Sequence, residues 1–349
     1  MTTPDKHDSA LLSAEAGGIG ERGLIERIRR RLPAPPPSLV VGVGDDAAVA
    51  AVDRGALQVL TTDALVEGVH FDRRFSTPAD IGHKALAVNL SDIAAMGGTP
   101  RLALLSLMLP DRATTDDVDR LLDGLLPLAE ASGVALAGGN ITRSPGPLVV
   151  DVTLVGSVRP RRVLTRGGGH PGDLLYVTGT IGAAAAGLSW LREHGRAGSE
   201  APDDRDLADC VRRHRRPDPR TRIGALIGRT RAARACMDLS DGLADAVRQV
   251  AEASGLGARI TADKLPIHPG AAAWFAHCGV DAVLASLSGG DDYELLFAVQ
   301  PKSRGRLRLV ERQARGVRIA CIGELVPGSD VILERDGRAE PLPAGFVHF

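Results

Sequence analysis

The stretch T-P-A-D-I-G-H-K-A-L-A-V-N-L-S-D-I-A-A-M-G-G, residues 77–98, decides how the rest of the chain is read. Thr77 can cap a helix N-terminus, Pro78 suits the first helical position, and Gly97-Gly98 stops the helix. Between those signals Ala85, Leu86, Val88, Leu90, Ile93 and Met96 surround a single aspartate, Asp92. A charge in such company is rarely fully buried unless something pairs with it. The helix is therefore expected both to pack into a core and to carry a functional acid.

On the N-terminal side, residues 1–18 are small and polar with no period and are expected to form a mobile tail. Leu24, Ile25, Ile28 and Leu32 fall on one helical face, which the prolines at 33–37 end. Strands are expected at 39–43 and 57–62, with Asp53-Arg54-Gly55 as a hairpin turn between them. On the C-terminal side come a strand at 102–109, a helix at 116–131 stopped by Gly133, and strands at 134–138 and 147–158. Residues 159–172 are rich in Arg, Gly and Pro, which places a domain boundary near 160 and gives domains at 19–160 and 161–349. The second domain shows a strand at 174–177, a helix at 182–194, a polar linker at 196–206 and a strand-turn-helix at 234–253. A strand at 293–299 and a hairpin turning at Asp336-Gly337 complete an α+β pattern.

A length of 349 residues fits two domains at about 150 residues each. With 44% apolar and 24% charged residues the composition is globular. Forty-two basic against forty-three acidic residues leave a net charge of -1, so no global field attracts a polyanion and no nucleic acid partner is expected. Cys210, Cys236, Cys278 and Cys321 are scattered with no C-x-x-C and read as reduced, mostly buried thiols. The first residues lack a signal pattern and no apolar window reaches membrane-spanning length, so a cytoplasmic protein without a membrane partner is expected.

Aspartates gather with glycines and hydroxyl residues at the ends of elements. Gly44-Asp45-Asp46 follows a strand, Thr61-Thr62-Asp63 ends the next, Asp238-Leu239-Ser240-Asp241-Gly242 joins a strand to a helix, and Gly289-Gly290-Asp291-Asp292 precedes another strand. L-S-D occurs at 90–92 and again at 239–241, and G-D-D at 44–46 and 290–292. Taken singly, each aspartate reads as a cap or a turn residue. Taken together, mutually close carboxylates repel and need hard cations, and an oxygen-only set of Asp, Thr and Ser with phosphate suits Mg²⁺. His70 reads equally as an exposed strand-end residue or a ligand contact. Arg166 in L-T-R-G-G-G can hold phosphate or make an ion pair, and Gly138-Gly139-Asn140 brings backbone near a ligand or turns the chain. His214 among arginines reads as part of a solvated helix face.

G-V-G-D-D-A at 42–47 matches a relaxed dinucleotide fingerprint, with Asp63 placed for a ribose. The segment that follows is too short for the crossover helix, and Asp45-Asp46 would face a pyrophosphate with like charge. No Walker A motif occurs, and no Ser-His-Asp or Cys-His ordering supports covalent catalysis.

From about residue 20 to the end, these motifs in this order resemble the thiamine-monophosphate kinase family of the aminoimidazole ribonucleotide synthetase-like superfamily. The segments are G-V-G-D-D at 42–46, T-T-D at 61–63 with G-V-H at 68–70, K-A-L-A-V-N-L-S-D-I-A-A-M-G at 84–97, L-T-R at 164–166, D-L-S-D-G at 238–242, S-G-G-D-D-Y-E-L at 288–295 and F-V-H-F at 346–349. The resemblance implies a two-domain α+β fold, an N-terminal domain that forms a β-barrel-like interface in a homodimer, and a C-terminal α/β domain. It implies transfer of the γ-phosphoryl group of ATP to thiamine monophosphate, in line and assisted by several Mg²⁺ ions, as the last step to thiamine diphosphate. Residue by residue it implies Mg²⁺ at Asp46, Thr61, Thr62, Asp63, Asp92, Asn140, Asp238 and Asp241. It implies ATP contacts at Gly139, Asn140, Arg166 and Ser240, and acceptor contacts at His70, Asp291 and Phe346.

Three positions depart from the family pattern: Asn140 stands where Asp is usual, Asp291 where Glu is common, and Phe346 where Tyr or Trp is common. The first removes a charge from a metal shell, the second shortens a reach, and the third keeps stacking but loses a polar handle. Sister enzymes of this fold carry a reactive cysteine at the C-terminus or near the start, and neither is found here, Cys210 being the first. A nicotinamide-dependent oxidoreductase and an idle nucleotide-binding module are the alternatives from other classes.

Overall fold

The computed structural model describes residues 16–44, 47–195 and 202–345. Contacts divide them into two units: residues up to Arg54 with Leu60–Asn89 and Pro100–Val155, and Gly55–Val59 with Leu90–Thr99 and residues from Gly156 onward.

The N-terminal half begins with helix α1 (Ala16–Arg31), broken at Gly20, where φ is 67°, so that the expected start at Glu21 follows the break. Strands β1 (Leu39–Val41) and β2 (Val49–Ala50) pair with each other. Strand β3 (Leu57–Val66) belongs to a different sheet, so the expected hairpin through residues 53–55 does not form. The short β1 closes locally on β2, which left β3 free to pair with a later strand. Helix α2 (Pro78–Ala95), strand β4 (Thr99–Pro110), helix α3 (Thr115–Ser132), and strands β5 (Ala135–Ser144) and β6 (Val149–Val158) follow.

The capping expected for α2 is present. The Thr77 hydroxyl accepts the Asp80 N–H at 3.2 Å, and the Asp80 carboxylate accepts the Thr77 N–H at 3.0 Å. Helix α3 has the same box from Thr114 and Asp117, and ends at Gly133 in the left-handed region. The two helices touch backbone to backbone: a Cβ on Gly82 would stand 1.9 Å from the Leu121 carbonyl oxygen, and one on Gly124 would stand 1.7 Å from that of Ala79. Glycines at these positions let the helices approach and seal a core that includes Ile81, Leu86, Leu121, Leu122 and Leu125. The sheet of this half is four-stranded and open, in the order β3-β6-β4-β5, with β4 and β5 parallel.

The C-terminal half contains β7 (Leu174–Thr178), α4 (Ala183–His194), α5 (Arg205–Arg215), α6 (Thr221–Thr230), β8 (Ala235–Asp238), α7 (Leu243–Ala253) and β9 (Gly257–Thr261). After these come α8 (Pro269–His277), α9 (Ala282–Ser288), β10 (Leu295–Val299), α10 (Arg304–Gln313), β11 (Ile319–Val326), β12 (Val331–Arg335) and β13 (Arg338–Pro341). The strands form one seven-stranded sheet, β13-β12-β9-β11-β7-β10-β8, antiparallel except where β12 runs parallel to β9. The closing hairpin turns at Asp336 and Gly337, whose φ values of 50° and 73° suit the primed turns that match strand twist. One apolar layer of Leu243, Val247 and Val250 from α7 packs with Met237, Ile260 and Ile322 of the sheet. A second layer, from α6 and α10, packs on Phe297 and Tyr176. Among the described residues no single helix is long and apolar enough to cross a membrane.

Candidate active site

Strand alternation sorts the T-T-D segment of β3. Thr61 and Asp63 share one face of the strand, and Thr62 points to the other. There the Thr62 hydroxyl donates to Asp151 Oδ1 at 2.9 Å and lies 3.0 Å from Thr153 Oγ1, both on β6. Asp151 is a carboxylate that the sequence reading passed over, since it sits inside a strand pattern rather than at an element end.

On β5, Gly139 has φ of 155°, and a Cβ there would stand 1.8 Å from the Leu105 carbonyl oxygen of β4. The β4–β5 register slips just before, between Ala103 and Leu104, and this bulge presents Asn140 on the exposed side. Past the end of β3, His70 is half-buried and its Nδ1 accepts the Val66 N–H at 3.0 Å, which leaves Nε2 to carry the ring proton of a neutral imidazole. The buried Lys84 donates to the His70 carbonyl at 3.1 Å and fixes the turn from below.

In the C-terminal unit the hydroxyl of Ser91 donates to Asp238 Oδ2 at 2.7 Å. Both residues are buried, and this bond brings the first L-S-D to the second, at the end of β8. Asp92, the acid singled out among the apolar residues of α2, is half-buried, whereas Asn89 and Ser91 are fully enclosed. Around Asp92 the fully enclosed polar groups are neutral, which costs less to desolvate than a carboxylate.

The D-L-S-D-G and S-G-G-D-D-Y-E segments are knitted backbone to backbone. Asp291 N–H donates to the Ser240 carbonyl at 2.7 Å, Tyr293 N–H to Leu239 at 3.0 Å, and Leu239 N–H to Glu294 at 2.9 Å. A Cβ on Gly290 would stand 2.5 Å from the Ser240 carbonyl oxygen, so glycine is required for that approach. Asp291 and Tyr293 both adopt left-handed backbone, with φ of 68° and 49°. Such conformations cost of order 1–3 kcal/mol each for residues with side chains and cluster at functional sites.

The Tyr293 hydroxyl donates to Asp291 Oδ1 at 2.9 Å, and His214 Nδ1 lies 3.7 Å from Asp291 Oδ2. His214 is buried, not part of a solvated helix face. The last turn of α5 turns it inward, while the neighbouring arginines supplied the misleading polar signal.

Glu294, fully enclosed, accepts from Arg220 at 2.6 Å and 2.5 Å and from the Thr178 hydroxyl at 2.6 Å. Next to it, Asp292 accepts the Gly182 N–H at 2.6 Å and the Ala184 N–H at 3.1 Å at the start of α4. Desolvation pushes the pKa of this half-buried residue up to about 7 against those two amides.

Arg166 is exposed, and one of its N–H groups donates to Gln249 Oε1 at 2.5 Å, while Gln249 Nε2 donates to Asp245 at 2.5 Å. A neutral amide thus orients the guanidinium without cancelling its charge.

A Cys-His-Asp line that sequence order concealed runs from α5 to His268, the N-cap of α8. Cys210 Sγ is 3.3 Å from His268 Nδ1, and His268 Nε2 is 3.2 Å from Asp209 Oδ2. It is not a nucleophile. The thiol is fully enclosed and burial pushes it up to about 12, while burial also holds His268 below its usual value. Of the other cysteines Cys236 is buried, Cys321 half-buried and Cys278 exposed.

Asp45, Asp46 and Phe346 lie outside the described residues. Among the described residues no group of three or more His, Cys, Asp or Glu side chains is gathered as a metal cluster. The donors present at the T-T-D, N-L-S-D and D-L-S-D segments are nevertheless all oxygens, the chemistry a hard divalent cation takes.

Family models match both halves: the AIR synthase related protein N-terminal domain over residues 44–158, and the C-terminal domain over residues 170–336. The thiamine-monophosphate kinase of Escherichia coli (strain K12) is 37% identical over 335 residues, covering 95% of this chain and 98% of that protein. The chain belongs to the thiamine-monophosphate kinase family. The solved thiamine-monophosphate kinase of Stenotrophomonas maltophilia K279a superposes with a TM-score of 0.81 at 36% identity, over 91% of this chain and 96% of that one. A second solved family member, AaThiL complexed with AMPPCP and TMP, gives a TM-score of 0.74 at 31% identity, over 95% and 97% of the two chains. Within the family frame, the described candidates fall in the middle of β3 and of β5, at the end of β8, in the last turn of α2, and in the loops before α7 and β10, so the T-T-D segment expected to end a strand lies inside one. Ser91, His214, Gln249, Tyr293 and Glu294 are the supporting residues that sequence reasoning missed. Ser91 had a signal inside the recognised N-L-S-D segment, and Tyr293 and Glu294 inside the D-D-Y-E segment; Gln249 had none, and His214 was read as solvated.

Proposed function

We infer that this chain transfers the γ-phosphoryl group of ATP to thiamine monophosphate, giving thiamine diphosphate and ADP. The observation that carries the inference is kinship along nearly the whole of both chains with thiamine-monophosphate kinases, one of them solved with AMPPCP and TMP.

The chemistry asks little of a general base. The acceptor is a phosphate monoester whose second pKa is about 6, so its attacking oxygen is already anionic at neutral pH. The difficulty is bringing two polyanions together, and an arginine whose charge is left available by a neutral partner, as Arg166 is by Gln249, addresses it. Gly139, Asn140 and Ser240 with Arg166 are proposed to contact ATP, and His70, Asp291 and Phe346 the acceptor. Asp46, Thr61, Thr62, Asp63, Asp92, Asn140, Asp238 and Asp241 would hold Mg²⁺, with the amide oxygen of Asn140 serving where the family has a carboxylate. Bound there, Mg²⁺ would neutralise phosphate charge and align the donor and acceptor oxygens.

A cytoplasmic homodimer is proposed with this activity. Among the described residues the open four-stranded sheet has its edges at β3 and β5, and β3 exposes Leu57 and Leu60, which suits closure of a barrel by a second copy.

The test is to incubate the protein with ATP and thiamine monophosphate, with Mg²⁺ or with excess EDTA, and to detect thiamine diphosphate by mass spectrometry, with free thiamine as control acceptor. Magnesium-dependent product is expected. ATP binding without product from thiamine monophosphate would overturn the assignment.

A further inference from the structure

Asp291 differs from the usual family residue in length, and its surroundings show how the shorter side chain is made to serve. Its backbone is left-handed, a conformation that Asp tolerates better than Glu because its short polar side chain bonds locally. Its N–H is anchored on Ser240, its Oδ1 is taken by the Tyr293 hydroxyl at 2.9 Å, and its Oδ2 faces His214 Nδ1 at 3.7 Å. Tyr293 and His214 are themselves buried, while the Asp291 side chain remains about a third exposed, at 31%. A partly exposed carboxylate is thus hydrogen-bonded by one enclosed hydroxyl, with a second enclosed group, the His214 ring, beside its other oxygen. Tyr293 also adopts left-handed backbone, so the strain of this segment is concentrated on the acid and on one of the two residues that hold it.

We propose that Tyr293 and His214 are positioning residues that fix the Asp291 carboxylate against the acceptor, and so set affinity for thiamine monophosphate rather than for ATP. The proposal rests on the kinase reading and on Asp291 contacting the acceptor. That acceptor carries a cationic thiazolium and an aminopyrimidine, and both are partners a carboxylate held in one orientation recognises: the first by charge, the second by an N–H donor. Without the Tyr293 hydroxyl, Oδ1 loses its fixed donor and the side chain samples other rotamers. The cost then falls on acceptor binding.

The test measures KM for each substrate and kcat in the wild type, Tyr293→Phe, His214→Ala and His214→Asn. Wild-type turnover is the control for the kinase reading, because its absence would sink that reading before any variant is compared. With turnover present, Tyr293→Phe and His214→Ala are each expected to raise KM for thiamine monophosphate about tenfold, with KM for ATP within twofold. His214→Asn, whose amide nitrogen replaces Nδ1, is expected to restore most of the loss. Tyr293→Phe keeps the buried ring, so folding is preserved even where His214→Ala unfolds, and circular dichroism identifies that case. Unchanged KM for thiamine monophosphate in folded Tyr293→Phe, or equal changes in KM for both substrates, would overturn the proposal.

Discussion

Ser91 and Asp238, 147 residues apart in the chain, meet through a 2.7 Å hydrogen bond in which the serine hydroxyl donates to the carboxylate. Both side chains are buried, so the bond forms in a medium where a lost partner is not replaced by water. Ser91→Ala leaves Asp238 Oδ2 without that donor, and a hydrogen bond to a charged group is worth about 1.5–3 kcal/mol. Urea denaturation is expected to show a loss in this range. Because Asp238 is proposed to hold Mg²⁺, half-maximal activity should also require more Mg²⁺, by a factor of several.

The Arg220–Glu294 pair makes a second long-range link, and it is of a different kind. Glu294 is fully enclosed, and its two oxygens are shared among Arg220, Thr178 and, at 3.5 Å, Arg213. Removing one member of a buried pair leaves an uncompensated charge, at a cost of about 3–5 kcal/mol. Arg220→Ala is therefore expected to lower Tm more than Ser91→Ala does. Arg220→Ala with Glu294→Gln should recover part of the loss, because the stranded charge is gone. Thermal melts of the two single variants and the double variant decide this.

What the sequence revealed follows the range of the forces involved. Local signals were legible: the Thr77 cap and the Gly97-Gly98 stop of α2, Gly133 after α3, and the Asp336-Gly337 turn each depend on residues within a few positions. Partners were not. The pairing of β1 with β2 rather than β3 is a competition between alternative strand partners, and no local pattern encodes its outcome. The buried side of α5, and α6 altogether, were missed because an arginine-rich surface masks their buried residues, among them Cys210, Val211, His214 and Ile227. The acidic motifs pointed to a phosphoryl-transfer site by residue type, but the groups that orient them, Ser91 and His214 above all, arrive from distant segments.

The Asp292 carboxyl makes stability depend on pH in a direction opposite to an ordinary salt-bridged acid. Its pKa is raised from 3.8 to about 7 by desolvation, so between these values the folded state holds a proton that the unfolded state has lost. The group's contribution is fully present below the unfolded value and is lost as pH rises through the folded one. Replacing it by Asn removes this titration. The stability difference between wild type and Asp292→Asn, measured by urea melts from pH 4 to pH 8, should shift steadily against the wild type up to about pH 7 and then level off. A constant difference across the range would refute the assignment.

Arg166 tests how charge is kept available for a phosphate. Its guanidinium leans on the neutral oxygen of Gln249, which Asp245 orients from one helical turn away in α7. Gln249→Glu keeps the side-chain length, gives up the donation to Asp245, and gives Arg166 a permanent ion-pair partner that ATP must then compete with. Arg166 is exposed, so the competing pair is worth up to about 1 kcal/mol, and KM for ATP should rise about threefold to fivefold. That rise should shrink as salt is added, since the Debye length falls to about 3 Å at 1 M. Gln249→Ala loosens the arginine without neutralising it, so its smaller rise in KM should not depend on salt. Steady-state kinetics at low and high ionic strength separate the two effects, and a salt-independent change in Gln249→Glu would show that orientation, not charge, is what the glutamine supplies.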